Sequence, residues 1–218
     1  VTASGTRQAL LMEFTHSLTS VLPALLSRVR ALFDLDARPD VIAAHLGRDR
    51  RLAAAVRANP GVRVPGAFNG FEMGMRAIVG QQVTVRAATT IAGRLAEAFG
   101  EPIVTSVAGL NRLTPTAADI ARARVGDIAR HGVVSTRSAG VIALAALQES
   151  GDLCLDGTAD RHPADAIARL AQLPGIGRWT AEYIAMRALR WPDAFPTGDI
   201  ALRSRLGGLS TKDAERLS

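Results

Sequence analysis

The segment from Leu170 to Ala181 holds the residue pattern best suited to bind a ligand. It predicts a helix, a tight turn at Gly175-Ile176-Gly177 and a second helix. The two glycines permit a tight hairpin that Ile176 plugs, with amides pointing outward at a helix N-terminus. Such amides cradle phosphate and contact the backbone of a nucleic acid rather than its bases.

The alternative is a helical hairpin without a ligand. We favour DNA binding because Leu-Pro precedes the turn and Trp-Thr-Ala follows it. The predicted DNA contacts here are Gly175, Ile176, Gly177, Arg178 and Thr180.

The helix after this turn carries two stripes at helical spacing. One is apolar and predicts the face that packs in the core: Ala181, Ile184, Ala185, Ala188 and Leu189. The opposite stripe is Trp179, Tyr183, Met186 and Arg190. It holds the only tyrosine and one of two tryptophans in a chain with 4% aromatic residues. This second face is either buried as well, or it forms a cleft wall on which a planar base stacks.

Asp199 follows an extended segment, residues 191–198, that contains two prolines. The preceding helix rises roughly 16 Å, and the extended segment can span up to about 26 Å. The chain can therefore return and place Asp199 beside Trp179 and Tyr183. The alternative is that Asp199 only caps the next helix, and a capping aspartate can still present one oxygen to a cleft.

The rest of the chain predicts the helices that must position these residues. From Val21 onward the apolar residues recur at three- and four-residue steps. A long helical region from Gly70 to Phe99 is interrupted at Gly80-Gln81-Gln82, and Thr84 is placed to cap its second half. Further helices are predicted over 115–128, over 138–147 and from Pro163. Only Leu10 to His16 alternates like a β-strand. We expect an all-α fold with one remnant strand.

Composition excludes several classes of protein. With 48% hydrophobic and 21% charged residues the chain is globular rather than disordered. No apolar stretch reaches the length of a membrane span. Cys154, the only cysteine, excludes an internal disulfide and an iron–sulfur cluster. The net charge is +6, and 25 of the 26 basic residues are arginine. Arginine pairs well with phosphate, although this bias is equally expected from a GC-rich genome.

Taken together, these motifs resemble the helix–hairpin–helix DNA glycosylase superfamily, and within it the bacterial 3-methyladenine DNA glycosylase II branch. The resemblance rests on residues 173–181 followed by Phe195-Pro196-Thr197-Gly198-Asp199. It continues in residues 30–35, 64–66 and 71–83. It implies two helical lobes with the active site between them. The implied domains are residues 1–20 as a remnant of an N-terminal β domain, 21–68 with 190–218 as the first lobe, and 69–189 as the second, hairpin-bearing lobe.

The resemblance also implies the roles of single residues. Asp199 would be the catalytic carboxylate, and Trp179 and Tyr183 would line the base pocket. Gln82 would enter the gap that the flipped nucleotide leaves in the duplex. The hairpin would grip phosphate, and a monovalent cation is implied at the backbone carbonyls of Leu173 and Gly175. No other cofactor is expected.

Lyase-type relatives carry a lysine at the position of Trp179, so the implied activity is that of a monofunctional, hydrolytic glycosylase. Its substrates would be alkylated bases of the 3-methyladenine type in damaged double-stranded DNA. A bacterial cytoplasmic monomer without membrane association is expected. The alternatives are a non-catalytic helix–hairpin–helix DNA-binding module, a glycosylase for other lesions, and a fragment inactive through truncation, because the family's C-terminal helix would follow Ser218.

Overall fold

A computed structural model describes residues 1–5, 9–156 and 163–216 and divides the chain into two compact units, Val1–Arg63 and Val64–Ser218. The first unit begins with two antiparallel strands, β1 (Thr2–Ser4) and β2 (Ala9–Leu11), in which Thr2 pairs with Leu11. A 3-10 helix (His16–Val21) and three α-helices follow: α1 (Leu22–Leu32), α2 (Pro39–Leu46) and α3 (Ala53–Ala58).

The strand predicted over Leu10–His16 is therefore wrong in its bounds. The strand ends at Leu11, and the backbone turns into the 3-10 helix at His16. Its partner, β1, has the sequence Thr-Ala-Ser, which lacks an apolar alternation. Pairing between strands is a non-local interaction, so a single stretch of sequence carries little information about it.

The second unit consists of nine helices within the described residues, and it contains all of the candidate site residues. They are α4 (Gly70–Val79), α5 (Val85–Phe99), α6 (Ala117–Ala121), α7 (Val125–Ala129), α8 (Ser135–Ser150), α9 (Pro163–Ala171), α10 (Arg178–Arg187), α11 (Ile200–Arg205) and α12 (Thr211–Glu215). The all-α fold class is confirmed. The region 115–128 forms two short helices rather than one, because each has its own capping aspartate, Asp119 and Asp127.

Helix α8 is the centre of this unit, and it packs against α4, α6 and α7. Its side chains Val141, Leu144 and Ala145 are fully buried. Helix α10 packs against α9 and α4 and so joins the hairpin to the same core. The predicted break between α4 and α5 is confirmed, and the Thr84 side chain accepts a hydrogen bond from the amide of Ala87, as expected of an N-cap.

In the ranges that the structure describes, every helix is too short or too polar to cross a membrane.

Candidate active site

The turn between α9 and α10 has the predicted hairpin geometry. Gly175 has φ +71°, a left-handed conformation that glycine adopts without steric cost. The amide of Ile176 donates to the carbonyl of Leu173 at 3.1 Å, and the Ile176 side chain is buried. Gly177 is the N-cap of α10 and lies exposed. The turn is therefore plugged from inside by Ile176 and open to solvent at Gly177.

The hairpin backbone is held against α8 from behind. A Cβ on Gly140 would lie 2.3 Å from the carbonyl oxygen of Pro174, so only glycine lets the hairpin approach α8 this closely. A Cβ on Gly175 would likewise meet the side chain of Thr136 at 3.1 Å. Sequence reasoning missed both contacts, because α8 lies more than twenty residues before the turn.

Gln81 also fixes the hairpin, from the loop between α4 and α5. Its Nε2 donates to the carbonyl oxygen of Gly175 at 3.0 Å and to the hydroxyl of Thr180 at 2.9 Å. Thr180 is buried, and its predicted DNA contact stays a prediction. Gln81, in the break at Gly80-Gln81-Gln82, therefore stabilises the turn through hydrogen bonds, a role that the sequence did not indicate.

Gln82 directly follows Gln81 and lies exposed with φ +53°. A left-handed conformation is uncommon for glutamine and signals a backbone constrained by its surroundings. The Oε1 atom of Gln82 lies 3.5 Å from a guanidinium nitrogen of Arg137, near the start of α8. An exposed Gln82 is accessible to DNA, and its insertion into a duplex stays a prediction.

Helix α10 presents the two faces expected from its stripes as far as Arg187, where the helix ends, so Leu189 and Arg190 lie beyond it. Ala181, Ile184 and Ala185 are fully buried and belong to the core. On the other face, Trp179 and Tyr183 are partly exposed and stack in parallel, with ring centroids 5.4 Å apart and an interplanar angle of 9°. The guanidinium of Arg187 lies 6.0 Å from the centroid of the Tyr183 ring. The guanidinium of Arg187 therefore lies next to the aromatic face, on the same side of the helix.

Asp199 lies beside this aromatic face and makes two hydrogen bonds through its carboxylate. Oδ1 accepts from the amide of Leu202 at 2.8 Å, as the N-cap of α11. Oδ2 accepts from the indole Nε1 of Trp179 at 3.1 Å. Asp199 is therefore both a helix cap and a partner of the aromatic face. Each carboxylate oxygen keeps acceptor capacity for a further donor, such as water.

A cleft of about 450 Å³ opens at the Trp179 and Tyr183 rings. Its opposite walls come from α4, α5 and the loop between them, with mainly apolar side chains that include Met73 and Val83. Arg76, whose Nε donates to Glu72 at 2.7 Å, brings a cation to the wall. The cleft is large enough for a nucleobase and offers it two aromatic rings.

Two relatives share long stretches of this sequence. DNA-3-methyladenine glycosylase 2 of Escherichia coli is 32% identical over 212 residues, which are 96% of this chain and 71% of that protein. The probable bifunctional transcriptional activator/DNA repair enzyme AlkA of Mycobacterium tuberculosis is 41% identical over 177 residues, which are 81% of this chain. The chain belongs to the AlkA family. It spans 35% of the length of the Mycobacterium tuberculosis relative.

The family assignment agrees with two further comparisons. The AlkA N-terminal domain family matches residues 1–69. Among solved structures, the 3-methyladenine DNA-glycosylase of Archaeoglobus fulgidus has a TM-score of 0.69 and 21% identity, over 94% of this chain and 70% of that chain. At this identity the likeness shows the fold. The superfamily and branch predicted from the motifs are thereby confirmed.

Within this AlkA-family chain, the bond between Trp179 and Asp199 can be removed without removing the stacked ring. Trp179→Phe keeps an aromatic ring beside Tyr183 and deletes the N–H donor to Asp199. For the glycosylase activity that is proposed below, we expect the rate of base release to fall about tenfold, since a bond to a charged acceptor is worth about 1.5 kcal/mol or more. DNA affinity should be unchanged.

The check is single-turnover release of methylated bases, with Trp191→Phe as the matched control. Trp191 is the other tryptophan and lines a different cleft. Equal rates in Trp179→Phe and the parent would show that Asp199 needs no support from the indole.

Proposed function

We propose that this chain is a monofunctional DNA glycosylase of base-excision repair. It hydrolyses the N-glycosidic bond of alkylated bases of the 3-methyladenine type in damaged duplex DNA. The observation that carries this proposal is the hydrogen bond from Trp179 to Asp199, which joins a carboxylate to an aromatic cleft beside the hairpin. Membership of the AlkA family supports it, as does the E. coli relative's name, DNA-3-methyladenine glycosylase 2.

DNA binding is assigned to the hairpin from Gly175 to Arg178. The amides of Gly177 and Arg178 stand at the N-terminus of α10, where the helix dipole favours an anion, whereas the amide of Ile176 donates within the turn. Gly177 leaves open space in front of the backbone, so a phosphate can approach it closely. These contacts do not depend on base sequence, which suits an enzyme that must search any duplex. The protein acts as a monomer.

Recognition of the lesion is assigned to the cleft at Trp179 and Tyr183. The target nucleotide leaves the helical stack and its base enters the cleft, while Gln82 fills the vacated space in the duplex. A base such as 3-methyladenine is positively charged, and a cation stacks favourably on an electron-rich indole. Because such a base is already a good leaving group, the site needs little acid catalysis at the base.

Hydrolysis is assigned to Asp199. The bond between C1′ and the base nitrogen breaks, and its electron pair leaves with the base. The sugar then carries oxocarbenium character, which the Asp199 carboxylate stabilises electrostatically. A water molecule attacks C1′ with an oxygen lone pair and gives up a proton, which Asp199 accepts before it reaches solvent. The products are the free base and an abasic sugar in an unbroken strand.

This chemistry requires no organic cofactor, and Cys154, the only cysteine of the sequence, cannot supply the four thiolates of an iron–sulfur cluster. Among the described residues, no group of three or more histidine, cysteine or acidic side chains is arranged to hold a metal ion. A monovalent cation at the carbonyls of Leu173 and Gly175 fits the chemistry of the donors. Each of these oxygens already accepts one hydrogen bond, and a carbonyl oxygen has a second lone pair for a cation. The cation would hold the hairpin in shape for phosphate.

The proposed hydrolytic mechanism predicts that no covalent DNA adduct forms. A lyase needs an amine nucleophile, and the only lysine, Lys212, lies on α12 rather than at the position of Trp179. We expect borohydride to trap no protein–DNA species during turnover of methylated duplex. A bifunctional glycosylase assayed in parallel provides the positive control, and robust trapping with this protein would refute the monofunctional mechanism.

The test of the function is release of free base from methylated duplex DNA, with the abasic strand examined for breaks before alkali treatment. Free 3-methyladenine with an intact strand supports the proposal. Tight binding without release would indicate the non-catalytic helix–hairpin–helix module instead. Release only of oxidised or mismatched bases would indicate a glycosylase of the same fold with another lesion. The substrate implies action in the bacterial cytoplasm, where the nucleoid lies.

A further inference from the structure

Glu182 on α10 is the only buried charged residue among the described residues, with 6% of its surface exposed. Its Oε1 accepts a hydrogen bond from the Nε of Arg178 at 2.8 Å. Its Oε2 is buried and has no hydrogen-bond partner among the described residues. A buried carboxylate with one unpaired oxygen is unfavourable for folding. Glu182 is therefore a poor choice for stability, and such departures from local rules are typical of functional positions.

The partner of Glu182 has the opposite exposure. The side chain of Arg178 is 68% exposed, whereas that of Glu182 is 7% exposed. Arg178 directly follows Gly177 and begins α10, so its guanidinium stands beside the proposed phosphate cradle. The ion pair therefore connects the buried carboxylate of Glu182 to the exposed guanidinium of Arg178 at the DNA-binding turn.

Glu182 and Arg178 do not line the Trp179 cleft. They line a separate cleft of about 440 Å³ between α9 and the segment that leads to Asp199. An effect of Glu182 on the base or on the sugar through the first cleft is thus not expected. Its route to function runs through Arg178.

We propose that Glu182 is a positioning residue that orients the guanidinium of Arg178 for a phosphate of the DNA backbone. This inference rests on the proposed function. The guanidinium has five N–H donors in a rigid fork, so it can be shared between a carboxylate at Nε and a phosphate oxygen. An exposed arginine loses rotamer freedom when it binds phosphate, and anchoring it beforehand reduces that loss. The binding free energy gained by holding Arg178 in this orientation exceeds the cost of the repulsion between Glu182 and the phosphate.

The test compares duplex affinity of the parent with Glu182→Met, Glu182→Gln and the control Glu97→Met. Glu97 lies on α5, its side chain is 60% exposed, and it pairs with Arg112 at 3.2 Å. Replacing Glu97 by Met therefore removes the same charge as replacing Glu182 by Met. We expect Glu182→Met to weaken binding about five- to tenfold, and the slope of log K against log salt to become shallower by about one. Glu182→Gln keeps an acceptor and should bind within about twofold of the parent. Glu97→Met should bind as tightly as the parent or more tightly.

Thermal unfolding and a double-mutant cycle separate positioning from a structural role. Replacing a buried ion by an apolar side chain of similar volume is often neutral for stability, so Glu182→Met should melt at or above the parent's temperature. In an Arg178→Ala background, Glu182→Met should have no further effect on binding. Unchanged affinity in Glu182→Met, an equal loss in the Arg178→Ala background, or lower stability without rescue by Glu182→Gln would each overturn the inference. A parent that binds no duplex would refute the proposed function itself.

Discussion

Asp199→Asn should lower the rate of base release at least about 100-fold while leaving duplex affinity unchanged or slightly higher. The substitution removes the charge that stabilises the oxocarbenium and accepts the proton of water. General-base catalysis contributes about 10²–10⁴-fold to the rate, and electrostatic stabilisation contributes about 10²–10³-fold. Affinity does not fall, because the substitution removes an anion from the neighbourhood of phosphates. The measurement is single-turnover release from methylated duplex, together with direct binding.

The structure supplies two controls for this experiment. The asparagine oxygen can keep only one of the two hydrogen bonds of Asp199, to Leu202 or to Trp179. Trp179→Phe loses the same indole bond but keeps the charge, so the extra loss in Asp199→Asn reports on the charge. Asp193→Asn changes an exposed aspartate of the segment that precedes Asp199, and it should leave the rate of base release and the duplex affinity unchanged. Loss of the cap itself costs well under about 2 kcal/mol. Release at near the parent rate would leave Asp199 as a helix cap alone.

Gly177→Leu should weaken binding to damaged and undamaged duplex alike, by about 30- to 100-fold. Apart from the adjacent residues of the chain, no heavy atom lies within 4 Å of a Cβ placed on Gly177, so the fold accommodates the side chain. The leucine instead fills the space through which a phosphate reaches the amides of the turn. Loss of two charge-assisted hydrogen bonds, each worth about 1.5 kcal/mol, corresponds to about a hundredfold change in affinity.

Gly93→Leu is the matched control for this prediction. Gly93 is exposed on α5 and also has open space around it, so the same substitution adds the same bulk away from the hairpin. Equal melting temperatures of the two variants would exclude unfolding as the cause. A loss confined to damaged DNA would contradict the phosphate cradle, because the amides do not read the base.

Much of the hairpin could be predicted from sequence because its determinants are local. Glycine adopts the left-handed conformation of a tight turn without steric cost, as at Gly175, and the three- and four-residue spacing of apolar residues indicates the faces of the helix that follows. The same locality explains the cap at Thr84 and the interruption between α4 and α5. Where pairing is non-local the prediction was wrong: the N-terminal strand ends at Leu11 instead of His16. The domain division into lobes stays a prediction.

The supports of the site could not be predicted, because each is a contact between distant parts of the chain. Gln81 reaches Gly175 across 94 positions, and Gly140 matters only because α8 lies directly behind Pro174. Nothing in the local pattern distinguishes Gln81 from Gln82, yet one braces the hairpin and the other is exposed. Glu182 likewise has the pattern of an ordinary polar helix residue, and only the tertiary structure shows that it is buried, beside α9 and the segment before Asp199.

By itself the sequence determined the residue types of the site, the hairpin, the aromatic face of α10 and the reach of residues 191–198. Periodicity and glycine conformation act within a few residues, so they are readable along the chain. The tertiary structure decided that Trp179 stacks on Tyr183 and at the same time donates to Asp199. It also decided that one carboxylate serves as cap and as partner of the indole. The two hydrogen bonds of Asp199 depend on where the segment after α10 returns, and packing rather than any local preference sets that position.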